Sequence, residues 1–76
     1  MNPNHKALEN RVRRILARKD YLLSRSRARH EDDPTKGLYH IVNDRNVVVE
    51  GASQRSHELT LEQAAYWAER LPSLRR

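Results

Sequence analysis

Arginine is the residue type whose spacing most clearly indicates chemistry in this sequence. The chain has twelve arginines and three lysines. Six of the arginines form two series, one at helical and one at strand spacing: Arg11, Arg14 and Arg18, then Arg25, Arg27 and Arg29. Guanidinium groups bind phosphate through paired hydrogen bonds. These six predict a nucleic-acid contact of about six phosphates, which would weaken roughly as the fifth to sixth power of salt concentration. The alternative is a solvated surface that only aids solubility.

The basic charge is concentrated in the first part of the chain. The formal net charge is +5, and residues 1–30 carry nine basic and two acidic side chains. Residues 31–76 carry six basic and eight acidic side chains, so their net charge is negative. Such asymmetry is typical of proteins that contact a polyanion. We expect the partner to be DNA, RNA or an acidic protein.

Aromatic side chains that could stack on bases are scarce. The chain has no phenylalanine and one tryptophan, and it lacks the aromatic-rich stretch of an RNA-recognition sheet. Stacking on a base would therefore fall to Tyr21 or Tyr39.

His40 is the candidate for catalysis, because a histidine can act as a general base near neutral pH. No Ser-His-Asp order and no paired carboxylates accompany it, and the alternative is an ordinary strand histidine. We therefore predict that the protein is not an enzyme, and we predict no catalytic residue. A small ribonuclease that uses His40 is the remaining enzymatic hypothesis.

The acidic segment His30-Glu31-Asp32-Asp33 offers oxygen ligands of the kind that hard divalent cations prefer. Adjacent residues of one loop rarely converge on an ion, and the spacing matches no calcium-binding loop. The alternative, a solvated acidic loop, leads us to predict no metal and no cofactor.

Hydrophobic periodicity predicts the elements that position these side chains. A helix over 4–19 has the apolar stripe Leu8, Val12, Ile15 and Leu16. Strands follow over 21–27, 38–42 and 47–50, with a hairpin turn over 43–46. A second helix begins after Thr60, which forms a capping box with Gln63, and Pro72 ends it.

The predicted fold is α+β, in the order α-β-β-β-α. A three-stranded antiparallel sheet would carry both helices on one face. We expect a single small domain over 1–76, with a core over 5–71 and a frayed tail over 72–76. Both faces of the sheet contain apolar residues, so the pattern does not select the core face. The second apolar face would suit a partner or a homodimer.

Composition limits the class of protein. Seventy-six residues suffice for one thin core. The chain has no cysteine, which excludes disulfides and thiolate metal sites. It has no apolar run near the roughly 20 residues of a membrane span, and its first residues lack the apolar region of a signal peptide. We therefore expect a cytoplasmic protein that makes no contact with a membrane.

The chain resembles a group of short, uncharacterised bacterial proteins over residues 8–71. The shared features are an Arg-rich helix, a strand ending in a Ser-Arg pair, a Gly-x-Tyr hairpin with an Asn-bearing turn, and a helix opened by Leu-x-Leu-Glu. Here they read Ser24-Arg25-Ser26-Arg27, Gly37-Leu38-Tyr39, Asn46-Val47-Val48 and Leu59-Thr60-Leu61-Glu62. The group carries no established activity, so this resemblance implies no function.

The element order is also similar to that of double-stranded-RNA-binding-like folds, including the HicA-type toxins that cleave messenger RNA. Those toxins open their second strand with Gly-Ser-His, and that histidine is catalytic. Here Gly37 and His40 match in type, with the histidine displaced. A shared topology does not transfer function.

Three functional hypotheses follow. The first is a small regulator that binds nucleic acid through the first helix and first strand. The second is a protein-interaction module, an inhibitor or adaptor of bacterial or phage type. The third is the ribonuclease that uses His40.

Overall fold

The computed structural model describes residues 3–28, 30–53 and 56–74. Its elements, in chain order, are α1 (Pro3–Arg18), β1 (Leu22–Arg25), β2 (Tyr39–Val42), β3 (Val48–Glu50) and α2 (Leu61–Arg70). The three strands form one antiparallel sheet in the order β1-β2-β3. The predicted α-β-β-β-α fold is therefore confirmed. Neither helix in this part of the chain is long and apolar enough to cross a membrane.

The core lies between the two helices and the sheet face that carries Leu23, Tyr39 and Ile41. Leu23 and Ile41 oppose each other across β1 and β2. The side chains of this core are all almost fully buried, and they are Val12, Leu16, Tyr21, Leu23, Tyr39, Ile41, Leu59, Leu61, Ala64 and Ala68. Both helices therefore pack on one face of the sheet, and the structure selects the core face that the sequence pattern left open.

The strands are shorter than predicted, and turn contacts begin at both ends of β1. Tyr21 is outside β1, since its amide bonds the carbonyl of Leu16 at the end of α1 (2.9 Å). Asp20 makes this tight link with φ +68°. At the other end of β1, the Ser26 hydroxyl accepts the amide of Ala28 (3.1 Å). The Ser26 amide still donates to the carbonyl of Leu38 opposite (2.9 Å), so the last ladder hydrogen bond is at Ser26 and the side-chain bond turns the chain away after it.

The hairpin between β2 and β3 shifts their register. The side-chain oxygen of Asn43 accepts the amides of Arg45 and Val47 (2.9 and 3.0 Å). The Asn43 amide bonds the carbonyl of Val47 (2.9 Å), so Val47 belongs to the turn. Val42 consequently pairs with Val48. The register shifts between Val42 and Ile41, since Ile41 pairs with Glu50, which is typical of a β-bulge.

Leu59 continues the sheet where β3 ends. Its amide and carbonyl both bond Tyr39 of β2 (2.9 and 2.8 Å), as an isolated antiparallel bridge. Gly51, with φ +98°, lies where the chain leaves β3 and passes the backbone of β2. The bridge places Leu59 in the core directly before α2. The predicted capping box is present there. The Gln63 amide donates to the Thr60 hydroxyl, and the Thr60 amide donates to the side-chain oxygen of Gln63.

Lys19 joins the C-terminal ends of the two helices. Its ammonium group donates to the carbonyls of Ala68, Glu69 and Leu71 (2.8, 3.2 and 2.9 Å). These are C-terminal carbonyls of α2, which have no partner within the helix. The carbonyl of Lys19 accepts the amide of Leu74 (2.9 Å). Residues 72–74, which belong to the tail expected to fray, are thus attached to the end of α1.

Replacing Lys19 with methionine should lower the free energy of unfolding by about 2 kcal/mol, because a charged donor to three helix-end carbonyls is lost. Lys36→Met is the matched control. Lys36 is exposed and pairs only with the exposed Glu31 among the described residues, so its loss should cost less than about 0.5 kcal/mol. Urea unfolding followed by circular dichroism measures both. Equal losses would show that the Lys19 contacts contribute nothing beyond a surface charge.

Candidate nucleic-acid interface

The arginines of α1 lie on different sides of the helix. Arg13 donates to the carbonyl of Leu23 in β1 (2.8 Å) and to Glu9 (3.1 Å). Two residues turn a helix by about 200°, and Arg11 accordingly faces the other way, towards Glu69 of α2 (3.9 Å). Arg18 is two helical turns along from Arg11 and lies on the same side. The Arg11–Arg18 side of α1 is therefore turned away from β1.

Arg25 and Arg27 instead lie at the end of β1, where they line two adjoining cavities of about 380 and 340 Å³. The larger cavity also contains His40 and His57, and the smaller contains Lys36. We call this surface, with the cations Arg25, Arg27 and Lys36 and the two histidines, the β1-end groove. The exposed Arg14 lies on the outer side of α1, and Arg29 lies outside the described residues.

The five described arginines of the predicted six therefore do not lie together in one patch. The described members form two groups, one along α1 and one in the β1-end groove. The physical reason is the orientation of α1, whose Arg13 flank is the one that contacts β1. Arg25 and Arg27 follow Leu23 in the sequence and lie past that contact. Arg11, on the opposite side of α1, pairs with Glu69.

A chain of hydroxyl groups shapes one wall of the groove. The Oδ1 atom of Asp33 accepts both the amide and the hydroxyl of Thr35 (2.8 Å each). Since the Thr35 hydroxyl donates to Asp33, it accepts from the Ser26 hydroxyl, also at 2.8 Å. The bond from the Thr35 amide, followed by the bond from its hydroxyl, lowers the pKa of Asp33. Asp33 is thus an anion tied to its own loop, and that loop is fixed to the end of β1.

The opposite wall is a stacked pair of histidines. The rings of His40 and His57 are nearly parallel, with an interplanar angle of 9° and a centroid separation of 4.0 Å. The Nδ1 atom of His40 lies 2.6 Å from the carbonyl of Ser56. A carbonyl only accepts, so this nitrogen carries hydrogen and Nε2 is the open acceptor of the neutral ring. Nδ1 of His57 contacts the hydroxyl of Ser56 (3.1 Å). Burial, and secondarily His40, lowers the pKa of His57.

The two tyrosines proposed for base stacking are in the core. Tyr21 is 4% and Tyr39 1% exposed. The hydroxyl of Tyr21 donates to the carbonyl of Pro72 (2.8 Å), and that of Tyr39 to Glu9 (3.3 Å). Burial, and then the Glu9 carboxylate, raises the pKa of Tyr39. The stacking assignment is wrong, because a base could reach neither ring without unpacking the helices from the sheet.

The acidic segment at 30–33 is divided between two partners. Glu31 pairs with Lys36, and Asp33 is held by Thr35. Within residues 3–28, 30–53 and 56–74, no three histidine or carboxylate side chains come together in a way that could hold a metal ion.

Sequence analysis missed His57, Lys36 and Thr35 as members of the site. Their positions depend on contacts distant in the sequence. His57 reaches His40 because Leu59 bridges Tyr39, and Lys36 reaches β1 because the 33–37 turn is fixed to Ser26. The apolar Leu59 directly before the capping box was the available signal, since a buried residue there must pack against the sheet.

Comparison of the chain with protein-family models, with curated proteins and with solved structures found no match. The two resemblances drawn from the sequence therefore remain predictions.

Proposed function

We propose that the protein binds nucleic acid and contacts its phosphates through the β1-end groove. The observation that carries this proposal is the shared lining of the two cavities by Arg25 and Arg27, with Lys36 and the histidine pair around them. Three permanent cations line this concave surface, and one of them, Lys36, also pairs with the exposed Glu31. The one carboxylate in the two linings, Asp33, is held by Thr35 and adds a single negative charge. A concave cationic surface concentrates anions and steers them to it.

The absence of exposed tyrosines in the groove determines the mode of binding. Because Tyr21 and Tyr39 are core residues, recognition has to rely on the sugar-phosphate backbone and on hydroxyl groups such as that of Ser24. Backbone contacts position a nucleic acid without reading its sequence. The proposed function is therefore a binding module with little sequence preference, and the Arg11–Arg18 side of α1 lies outside the proposed interface.

The number of cations in the groove predicts how salt weakens binding. Three neutralised phosphates give a slope of log affinity against log salt of about −2 for single strands and about −3 for duplex DNA. One continuous six-arginine patch would instead give about −5 on duplex. Anisotropy titrations of labelled single-stranded RNA and duplex DNA, in a salt series from about 50 to 300 mM, distinguish these values. No binding even at the lowest salt would contradict the proposed function.

A further inference from the structure

We propose that the His40–His57 pair and Arg27 form a site for a phosphate group, and that phosphate binding there is coupled to uptake of a proton by the pair. The identification of this phosphate as part of a nucleic acid rests on the proposed function. The site itself can be probed with inorganic phosphate.

The stacking geometry sets the charge state of the empty pair. At a centroid separation of 4.0 Å, two imidazolium rings would repel each other strongly, because like charges this close disfavour the second protonation. The pair therefore carries at most one positive charge when no anion is near. A phosphate beside the rings offsets the repulsion and stabilises additional positive charge.

The hydrogen bonds of the pair determine which nitrogen receives the proton. Nδ1 of His40 already carries hydrogen, which it donates to the carbonyl of Ser56. A proton added to His40 would therefore go to Nε2, on the side of the ring away from that carbonyl, whereas a proton added to His57 gives that ring a second N–H donor. A protonated Nε2 is a donor, and donors are what a phosphate oxygen requires.

The charged groups around the pair favour an anion over a cation. Arg25, at the end of β1, and Arg27, beyond it, line the same cavity. Arg25 pairs with Tyr39 in the register, so its side chain leaves the sheet on the face opposite to that of His40. From the 33–35 loop, Asp33 lines the cavity as well and adds one negative charge, which the two arginines outnumber. Beside His57, the carboxylate of Glu58 accepts the amide and hydroxyl of Ser53 (3.1 and 2.8 Å). Arg55 lies outside the described residues.

The pH dependence follows from these charges. Burial of His57 lowers its pKa, and the neighbouring His40 adds to this effect, so the ring is mainly neutral at neutral pH before phosphate arrives. A bound anion favours the charged form and raises the pKa again. By linkage, an anion of constant charge in this range, such as sulfate or a backbone phosphodiester, then binds more tightly as the pH falls from about 8 to about 5.5, over which range histidine gains its proton.

The experiment is a histidine NMR titration of the full chain. The Cε1–H signals are followed against pH in chloride, in inorganic phosphate and in sulfate, all at equal ionic strength. The four histidines are His5, His30, His40 and His57, of which the exposed His5 and His30 are internal controls. We expect phosphate and sulfate to raise the pKa of His57 by about one unit and to leave the signals of His5 and His30 where chloride puts them. Equal titration of His57 in all three salts would overturn the proposal.

Variants separate this site from general charge. His57→Gln should abolish the pH dependence of sulfate affinity, Arg27→Ala should reduce the affinity itself about tenfold, and His30→Gln should change neither. If His57→Gln leaves the pH dependence intact, the proposal is wrong. Should a variant fail to fold, the wild-type titration still decides the question.

Oligonucleotides identify the source of the phosphate and separate the two proposals. A shift of the His57 signal with any oligonucleotide indicates a backbone phosphate, and a shift only with a 5′-phosphorylated one indicates a terminal phosphate; both support the site. Nucleic-acid binding that is independent of pH and leaves His57 unshifted overturns the histidine site alone. A His57 shift with inorganic phosphate and none with any oligonucleotide overturns the proposed function alone.

Discussion

Replacing Gly51 with alanine is expected to lower the free energy of unfolding by about 3 kcal/mol or more. Gly51 has φ +98°, a conformation that costs an L-residue about 1–3 kcal/mol by itself. A Cβ atom there would also lie 2.9 Å from the Cα of His40, 2.9 Å from Cγ of Leu59 and 3.0 Å from the carbonyl oxygen of Tyr39. Two of these three atoms are backbone of the central strand β2, which cannot move without disturbing the sheet on both sides.

Gly37→Ala is the matched control for this variant. Gly37 also has a positive φ, +76°, but no heavy atom lies within 4 Å of the position its Cβ would take. Only the conformational cost remains, about 1 kcal/mol. Urea unfolding followed by circular dichroism compares the two variants. Equal losses in the free energy of unfolding would show that the chain after β3 does not pass close to the backbone of β2.

The second large effect is on nucleic-acid affinity. The double variant Arg25→Ala/Arg27→Ala should bind an oligonucleotide about tenfold to a hundredfold more weakly than the wild type at low salt, because two of the three permanent cations of the groove are removed. The salt slope should fall by about two at the same time. Anisotropy titration measures both quantities, and circular dichroism checks that the variant folds.

The control removes the same charge from α1. Arg11→Ala/Arg18→Ala takes away two exposed cations on the side of the helix away from β1, one of them beside Glu69. We expect its affinity to stay within about threefold of the wild type, since only distant, screened attraction is lost. The opposite order, with the α1 variant the weaker binder, would move the interface to the first helix as the sequence alone suggested.

The helices are the part of the fold that the sequence predicts best, because their signals are local. The stripe of Leu8, Val12, Ile15 and Leu16 repeats within one element, and it packs on the core as expected. The capping box needs only Thr60 and Gln63, three residues apart. Such features depend on backbone geometry that the segment itself determines.

The sheet shows why the rest of the fold could not be predicted. Alternation places Tyr39 and Ile41 on one face and His40 and Val42 on the other, but both faces contain apolar residues. The choice depended on which face met the helices. Leu22 stays 64% exposed on the open face, and the homodimer considered for this face remains a prediction. The pairing of Val42 with Val48 required knowing that Asn43 captures the Val47 amide.

The sequence predicted an arginine-rich site, but it did not predict how the arginines are arranged in space. The abundance of arginine made Arg25 and Arg27 candidates, and the structure puts them in one cavity lining with Lys36; their role in binding stays a prediction. Arginine abundance could not show that Arg13, at a different angle on α1, is the arginine that contacts β1. The sequence also could not predict that His57 stacks on His40, because the bridge between Leu59 and Tyr39 is what brings His57 there.

The position of a bound oligonucleotide tests the central claim most directly. Amide chemical shifts of the wild-type protein are recorded while single-stranded RNA is added at low salt. We predict that the largest changes fall on Ser24–Ala28, Lys36, His40 and His57, with little change at Arg11, Arg14 and Arg18. Changes confined to the exposed side of α1, or none anywhere at saturating RNA, would contradict the assignment of the β1-end groove as the binding surface.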